Sequence, residues 1–363
     1  MPENYIGLMS GTSLDGIDAV LADFGTGAPR IAASSHRPLD PALRRELLAL
    51  NLPGANELER AALAANALSR AYAESVGALL ELSSAKSAAV SAIGCHGQTV
   101  RHQPADGYTI QLVNGALLAE LTGIDVVCDF RGRDIATGGQ GAPLVPAFHH
   151  AVFASHDAHR VIVNIGGIAN LTDLPPAGTV TGFDCGPGNL LLDAWAQRHL
   201  DQPFDNAGAW AGSGHALPDL LARLLGDDYF RRAPPKSTGR GTFNLDWLTR
   251  ELGGGEQPAN VQATLLALTA RGIADAVAKF CSGALEVYLC GGGARNNALV
   301  ALLSQQLAPR KVAVTDTLGI AAEHVEALAF AWLAHRTSNR QPGNLPAVTG
   351  ARGMRILGAI YPA

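Results

Sequence analysis

The stretch Leu8–Phe24, LMSGTSLDGIDAVLADF, sets apolar runs on either side of a loop of small, hydroxyl and acidic residues. Residues 5–9 and 17–24 read as two strands, and residues 10–16 as the polar turn joining them. Gly11 and Gly16 permit a tight turn with inward-facing amides, and Ser10, Thr12 and Ser13 offer hydroxyls. Such a loop is either an ordinary hairpin turn, which favours the same residues, or a phosphate holder. In the second case Asp15 or Asp18 orients magnesium through water, because that ion takes oxygen ligands and keeps several waters.

Working outward, the same form returns in RVIVNIGGIANLTDL (160–174): strand, small-residue turn, strand. Between the two hairpins, residues 56–83 read as a long amphipathic helix with Leu63, Leu68, Tyr72, Val76 and Leu79 at helical spacing. AVSAIGCHGQTV (89–100) reads as a strand ending in a glycine loop, and IDVVCDF (124–130) as a strand ending in RGRD. Beyond 174, TGFDCGPGNLLLDAW (181–195) is a strand end, a glycine turn and a helix start. VQATLLALTARGIADAVAKF (261–280) is a long helix, and EVYLCGGGARNNALVALLSQQL (286–307) is strand, triple glycine, helix. HVEALAFAWLAHRT (324–337) is a last helix. Strands alternating with helices predict α/β domains with mixed sheets, and the restart near 160 predicts two similar domains around a cleft. Residues 226–244, rich in charge, proline and glycine, read as an exposed excursion.

Composition narrows the partners. The 363 residues carry a net charge of -5, with no basic surplus, so nucleic acid is not expected. Five cysteines at irregular spacing indicate neither a disulfide framework nor a zinc site, which fits a cytoplasmic protein. No signal peptide and no membrane span are expected.

Neither G-x-x-x-x-G-K-[ST] nor G-x-G-x-x-G occurs, so the common nucleotide fingerprints do not apply. What remains is a succession of loops: residues 11–18, then Gly166, Gly167 and Asn170, then Gly291, Gly292 and Gly293, which open a helix whose N-terminus favours an anion. Asp184, in FDCGPGN, is either a general base aimed into a cleft or a helix-capping aspartate. Glu326 lies among apolar neighbours on the last helix, either on its solvated face or aimed at the cleft. His96, Gln98 and Arg131 offer donors suited to sugar hydroxyls or a carboxylate. GGQGAPLVPAFHH (138–150), containing Gly141, reads as a rigid wall beside a site.

Taken in order, LMSGTSLDGID, CHGQTVRH, DFRGRD, GGQGAPLVPAFH, NIGGIAN, FDCGPGN, PKSTGR and CGGGARN closely resemble the anhydro-N-acetylmuramic acid kinase family, nearly end to end. The resemblance implies two RNase H-like domains of the actin/hexokinase type with an interdomain ATP cleft. The domains are expected at 1–130 plus 346–363 and at 131–345. It implies a reaction in which water opens the 1,6-anhydro ring and O6 is phosphorylated by ATP, as part of peptidoglycan recycling. Residue by residue, Gly11, Thr12, Ser13, Leu14, Asp15, Gly16, Ile17 and Asp18 match the family's phosphate loop, and Asp184 its catalytic aspartate. Glu326 is expected to assist on the sugar side, Arg131 to take the lactyl carboxylate, and a homodimer is expected from the family. Three alternatives stand beside this reading: a different sugar or acetyl-group kinase, a non-catalytic sugar sensor, and a glycoside hydrolase using paired carboxylates.

Overall fold

The computed structural model describes residues 3–11, 14–25 and 27–363. Its strands, in chain order, are β1 (Asn4–Met9), β2 (Gly16–Asp23), β3 (Arg30–Pro38), β4 (Val90–Cys95), β5 (Gln98–Gln103), β6 (Tyr108–Leu112), β7 (Val126–Cys128), β8 (Arg160–Ile165), β9 (Ile168–Leu174), β10 (Thr181–Pro187), β11 (Glu286–Cys290), β12 (Lys311–Val314) and β13 (Ala359–Tyr361). The helices that matter below are α1 (Glu57–Ser83), α2 (Leu190–Leu200), α3 (Pro258–Phe280), α4 (Asn297–Leu307) and α5 (Val325–Ser338).

The chain divides into two compact units, Met1–Phe148 with His324–Ala363, and His149–Glu323. The first holds a sheet in the order β13-β7-β4-β1-β2-β3, the second a sheet in the order β10-β9-β8-β11-β12. In the first, β1, β2 and β3 form an antiparallel meander, and β4 and β7 add in parallel beside β1. In the second, β8, β9 and β10 form the meander, and β11 and β12 add in parallel beside β8. The two cores therefore share one topology, and the expected repetition of form is a repetition of fold.

The division falls at 148/149 and 323/324, not at the expected 130/131 and 345/346. The reason is a glycine pair. Gly7 of β1 stands opposite Gly94 of β4. A Cβ on Gly7 would lie 1.8 Å from the Ala327 carbonyl oxygen, and one on Gly94 would lie 2.0 Å from that of Phe330. Two bare positions side by side let α5 lie with its backbone against the first sheet, so α5 belongs to the first unit.

The first core fills the space between its sheet and α1, where Leu68, Tyr72, Val76 and Leu79 are fully buried. Leu63, expected on that face, is 62% exposed. It lies five residues before Leu68, off the helical period, and Ala64 and Ala65 take the buried positions instead. In the second unit α3 is the central helix. Its 18-residue window of mean hydropathy 1.2 is long and apolar enough to cross a membrane, but 83% of that window is buried inside the protein. The five cysteines are buried and not joined in disulfides.

Candidate functional site

In the first unit, the loop after β1 is anchored from below. Ser10 is buried, its Oγ 2.7 Å from the Tyr72 hydroxyl and 3.2 Å from the Gly97 carbonyl. That hydroxyl, read from sequence as a phosphate donor, is spent inside the protein. Thr12 and Ser13 lie outside the described residues. Leu14 closes the turn in the left-handed region (φ 55°), its amide donating to the Gly11 carbonyl at 3.2 Å. Arg44 donates through Nε to the Leu14 carbonyl at 3.0 Å, a contact the sequence did not signal. Leu14 and Ile17 are core side chains, so only their backbone is available to a ligand. Asp15 is exposed at the loop's end. Asp18 sits on β2 with its Oδ1 2.7 Å from His36 Nδ1. That hydrogen bond raises the His36 pKa above its ordinary value, favouring its charged form beside Asp18.

His96, Gln98, Arg131 and Gly141 come together in the same unit. Arg131 donates to His96 Nε2 from Nη2 at 2.9 Å and Nε at 3.3 Å, and to the Gly141 carbonyl from Nη1 at 2.7 Å. The guanidinium read as a carboxylate binder is thus first a brace for His96 and for the 138–150 loop. Gly141 adopts φ 64°, and its amide donates to Asp134 Oδ2 at 2.8 Å. Asp134 is fully buried, and its Oδ1 accepts from Asn344 Nδ2 at 2.7 Å and Thr349 Oγ1 at 2.8 Å. One carboxylate therefore holds the wall of the site to the C-terminal segment. Gln98 is buried with Oε1 lacking a hydrogen-bond partner among the described residues, which suits a ligand hydroxyl.

The His96 ring packs on Phe330 of α5, centroids 4.8 Å apart. Glu326 lies four residues earlier, on the same helical face, and is half-buried. A fully solvated position for Glu326 therefore fails.

Burial first, and Arg131 second, push His96 down to about 3 and His102 down to about 4. Both are neutral in the folded protein where unfolded histidine, near 6.5, begins to charge. Between about pH 6.5 and pH 4 the unfolded chain binds more protons, so stability falls as pH falls, by up to about 1.4 kcal/mol per pH unit for each histidine. Melting curves across that window should show the decline, and His96→Asn should flatten it. A wild-type profile that is level from 6.5 to 4, or an unchanged slope in the variant, would contradict this.

In the second unit, Asp184 is buried on β10, directly opposite Asn170 of β9, which in turn faces Asn164 of β8. The capping alternative fails here too, because α2 starts at Leu190 with Asn189 at its cap position. Asp184 is gripped by the segment read as an exposed excursion. Its amide donates to the Lys236 carbonyl at 3.2 Å, its Oδ2 accepts from the Thr238 amide at 2.9 Å, and its carbonyl accepts from the Tyr229 hydroxyl at 2.7 Å. Residues 226–244 do expose many of their polar positions, but they also bury Tyr229, Lys236 and Phe243, so the segment is anchored. Edge-to-face contacts run from Tyr229 to Phe243 and on to Trp247, and these rings supply the apolar anchor.

The NIGGIAN turn meets α2 from the other side. The carbonyls of Gly166 and Gly167 accept the amides of Asn189 (2.8 Å) and Gly188 (2.9 Å). The peptide is planar and trans, so the Gly167 N–H points the opposite way, off the helix. Gly291 (φ 78°) and Gly293 press on the same turn: a Cβ would lie 2.5 Å from Asn164 Oδ1 at the first and 2.3 Å from Ile165 Cγ2 at the second. The triple glycine does not itself open an α-helix. It enters a short 3₁₀ turn, Gly292–Arg295, and α4 begins at Asn297 behind an Asn296 cap. The helix start against the turn is that of α2. Asn170 Oδ1 and Thr238 Oγ1, on either side of Asp184, are buried with no hydrogen-bond partner among the described residues. Glycine backbone and a helix start favour an anion, while the Asn170 oxygen and the Thr238 hydroxyl beside the carboxylate suit a hydrogen-bond donor such as water or a ligand hydroxyl.

The model of a family described as anhydro-N-acetylmuramic acid kinase matches residues 3–363. The anhydro-N-acetylmuramic acid kinase of Nitrosomonas europaea is 58% identical over 361 residues, 99% of this chain and 99% of that protein. The protein of the same name from Chromobacterium violaceum is 53% identical over 366 residues, the whole of both.

The chain belongs to the anhydro-N-acetylmuramic acid kinase family.

Component A of the Acidaminococcus fermentans (R)-2-hydroxyglutaryl-CoA dehydratase, a solved structure, aligns with 93% of this chain and 99% of its own at a TM-score of 0.50 and 14% identity. That likeness concerns the fold alone, the doubled RNase H-like architecture of the actin/hexokinase type. In this member of the anhydro-N-acetylmuramic acid kinase family, the motifs behind the resemblance lie where the chain makes its glycine turns and braced polar clusters. The residues missed from sequence (Arg44, Asp134, Tyr229, Lys236 and Thr238) act mostly through backbone atoms or at long range, which a linear pattern does not display.

Proposed function

We propose that this protein uses ATP to phosphorylate O6 of 1,6-anhydro-N-acetylmuramic acid while water opens its anhydro ring, giving N-acetylmuramic acid 6-phosphate and ADP for cell-wall recycling. The observation that carries the proposal is Asp184, a buried carboxylate with one oxygen fixed by the Thr238 amide, in a chain matched by the family over residues 3–363. Held so, Asp184 accepts the proton of the attacking water. The water oxygen bonds to C1, the C1–O6 bond breaks, and O6 takes the γ-phosphoryl group. The Gly11–Asp18 loop and the turns at Gly166, Gly167, Asn170 and Gly291–Gly293 hold the nucleotide through backbone amides. His96, Gln98 and Gly141 line the sugar side with Glu326, and Arg131 keeps His96 in place.

Magnesium would supply charge neutralisation on the transferring phosphoryl group. Among the described residues no cluster of three or more metal-binding side chains exists; a magnesium held largely by phosphates and water needs only one or two acids. Asp15, exposed at the loop's end, and Asp18, on β2, are the two candidate acids. A homodimer in the cytoplasm is the proposed setting.

The test is a product assay in oxygen-18 water with ATP, magnesium and the anhydro sugar. The expected product carries label at the C1 hydroxyl, read before mutarotation exchanges it, together with a 6-phosphate. Ring opening without ATP would instead point to a glycoside hydrolase. Phosphorylation of ordinary N-acetylmuramic acid alone would point to another sugar kinase.

A further inference from the structure

Behind β10, in the second unit, lies a cavity of about 210 Å³ lined by Cys185, Phe230, Lys236, Gly272, Lys279 and others. It is unused by the mechanism above. Two lysines give it its character. Lys236 is only 9% exposed, and its ammonium has three donors. Its one hydrogen bond among the described residues goes to the Tyr229 carbonyl at 3.3 Å, and its Nζ sits 4.6 Å from the Tyr229 ring centroid. Lys279 rests over Phe280 and has no ion-pair partner among the described residues. The nearby charges are already committed: Asp275 to Arg271 at 2.9 Å, and Arg231 to Asp228. Burial, opposed by Asp184 and reinforced by Lys279, holds the Lys236 pKa below its ordinary value. Two ammonium groups thus share one small cavity, where the lining carboxylate Asp275 is paired with Arg271 and the charge of Asp184 only partly offsets that of Lys236.

We propose that this cavity is a site for a small oxyanion of the phosphate class, held between the Lys236 and Lys279 ammonium groups. Charge-assisted hydrogen bonds to phosphate oxygens are the strong kind, and they would use the donors Lys236 now leaves unmade. The volume is below that of ordinary ligand pockets, roughly 300–1,000 Å³, so it admits a free ion and excludes a sugar phosphate. The site does not rest on the kinase reading, and its test reads binding, not turnover.

Inorganic phosphate is titrated into the full chain by calorimetry at constant ionic strength, with chloride as the balancing ion. Saturable one-site binding is expected. Lys279→Met, an exposed change on α3, should weaken it at least tenfold, and Lys236→Met should abolish it. Glucose 6-phosphate should not compete. No saturable binding, or undiminished binding in Lys279→Met, overturns the proposal, the latter because phosphate would then sit elsewhere. Equal competition by glucose 6-phosphate overturns the assignment to a free ion. Lys279→Met keeps the test decisive even where Lys236→Met fails to fold.

Discussion

Asp184→Asn is expected to lower kcat on the anhydro sugar by about 10²–10⁴, the range that a positioned general base supplies. The substitution preserves shape and the acceptor that receives the Thr238 amide, since asparagine keeps one carbonyl oxygen where Asp184 has Oδ2 at 2.9 Å. What it removes is the ability to take a proton from water. The loss should therefore fall on kcat, with the KM for the sugar little changed, because an interaction made only in the transition state has been deleted. The folded protein should melt close to the wild-type temperature. In oxygen-18 water the variant should yield neither C1 label nor 6-phosphate. A variant with near-normal turnover would remove Asp184 from the role of base and leave the fold untouched. A variant that lost activity by unfolding would be recognised by its melt, and Asp184→Glu, which keeps the carboxylate on a longer arm, should then recover part of the rate if basicity is what matters.

The parts of this site that could be read from the chain are those whose signal is local. The hairpins at 5–24 and 160–174 announce themselves by apolar runs around small-residue turns, and both are present as β1–β2 and β8–β9. Strand β3 was missed because RIAASSHRP is an edge strand with a largely exposed, polar pattern and no clean alternation. Residues 226–244 were misread for a related reason. Their charges and prolines mark the surface side, while the buried rings Tyr229 and Phe243 that anchor the segment are scattered among them. Asp134 shows the limit most plainly. It stands in the quoted RGRD, but its function depends on Asn344 and Thr349, 210 and 215 residues away in sequence. The domain boundary failed on the same ground, since nothing in GLM or AIGC says that a helix far along the chain will set Ala327 on Gly7 and Phe330 on Gly94.

Gly94→Ala is expected to destabilise the protein by about 3 kcal/mol, at the upper end for an overpacked core position. The added Cβ would lie 2.0 Å from the Phe330 carbonyl oxygen and 2.7 Å from its carbon. These are backbone atoms of α5, so no side-chain rotation relieves the clash, and the helix itself must lift from β1 and β4. With an unfolding entropy of about 2.1 cal/mol/K per residue, that corresponds to a fall of roughly 4 °C in Tm when all 363 residues melt together. Lifting α5 also moves Phe330 off His96 and shifts Glu326, so activity should fall along with stability, unlike Asp184→Asn. Gly7→Ala, 1.8 Å from the Ala327 carbonyl oxygen, should behave alike, and the double variant should cost less than the sum, since one displacement of the helix relieves both. Gly77→Ala is the control. Gly77 sits on the exposed side of α1 with nothing within 4 Å of its added Cβ, so helix propensity alone should leave it neutral or stabilise it by up to about 1 kcal/mol. A Gly94→Ala protein melting with the wild type would mean that α5 does not lie backbone to backbone on the sheet. Phe330 would then lose the placement that puts it on His96.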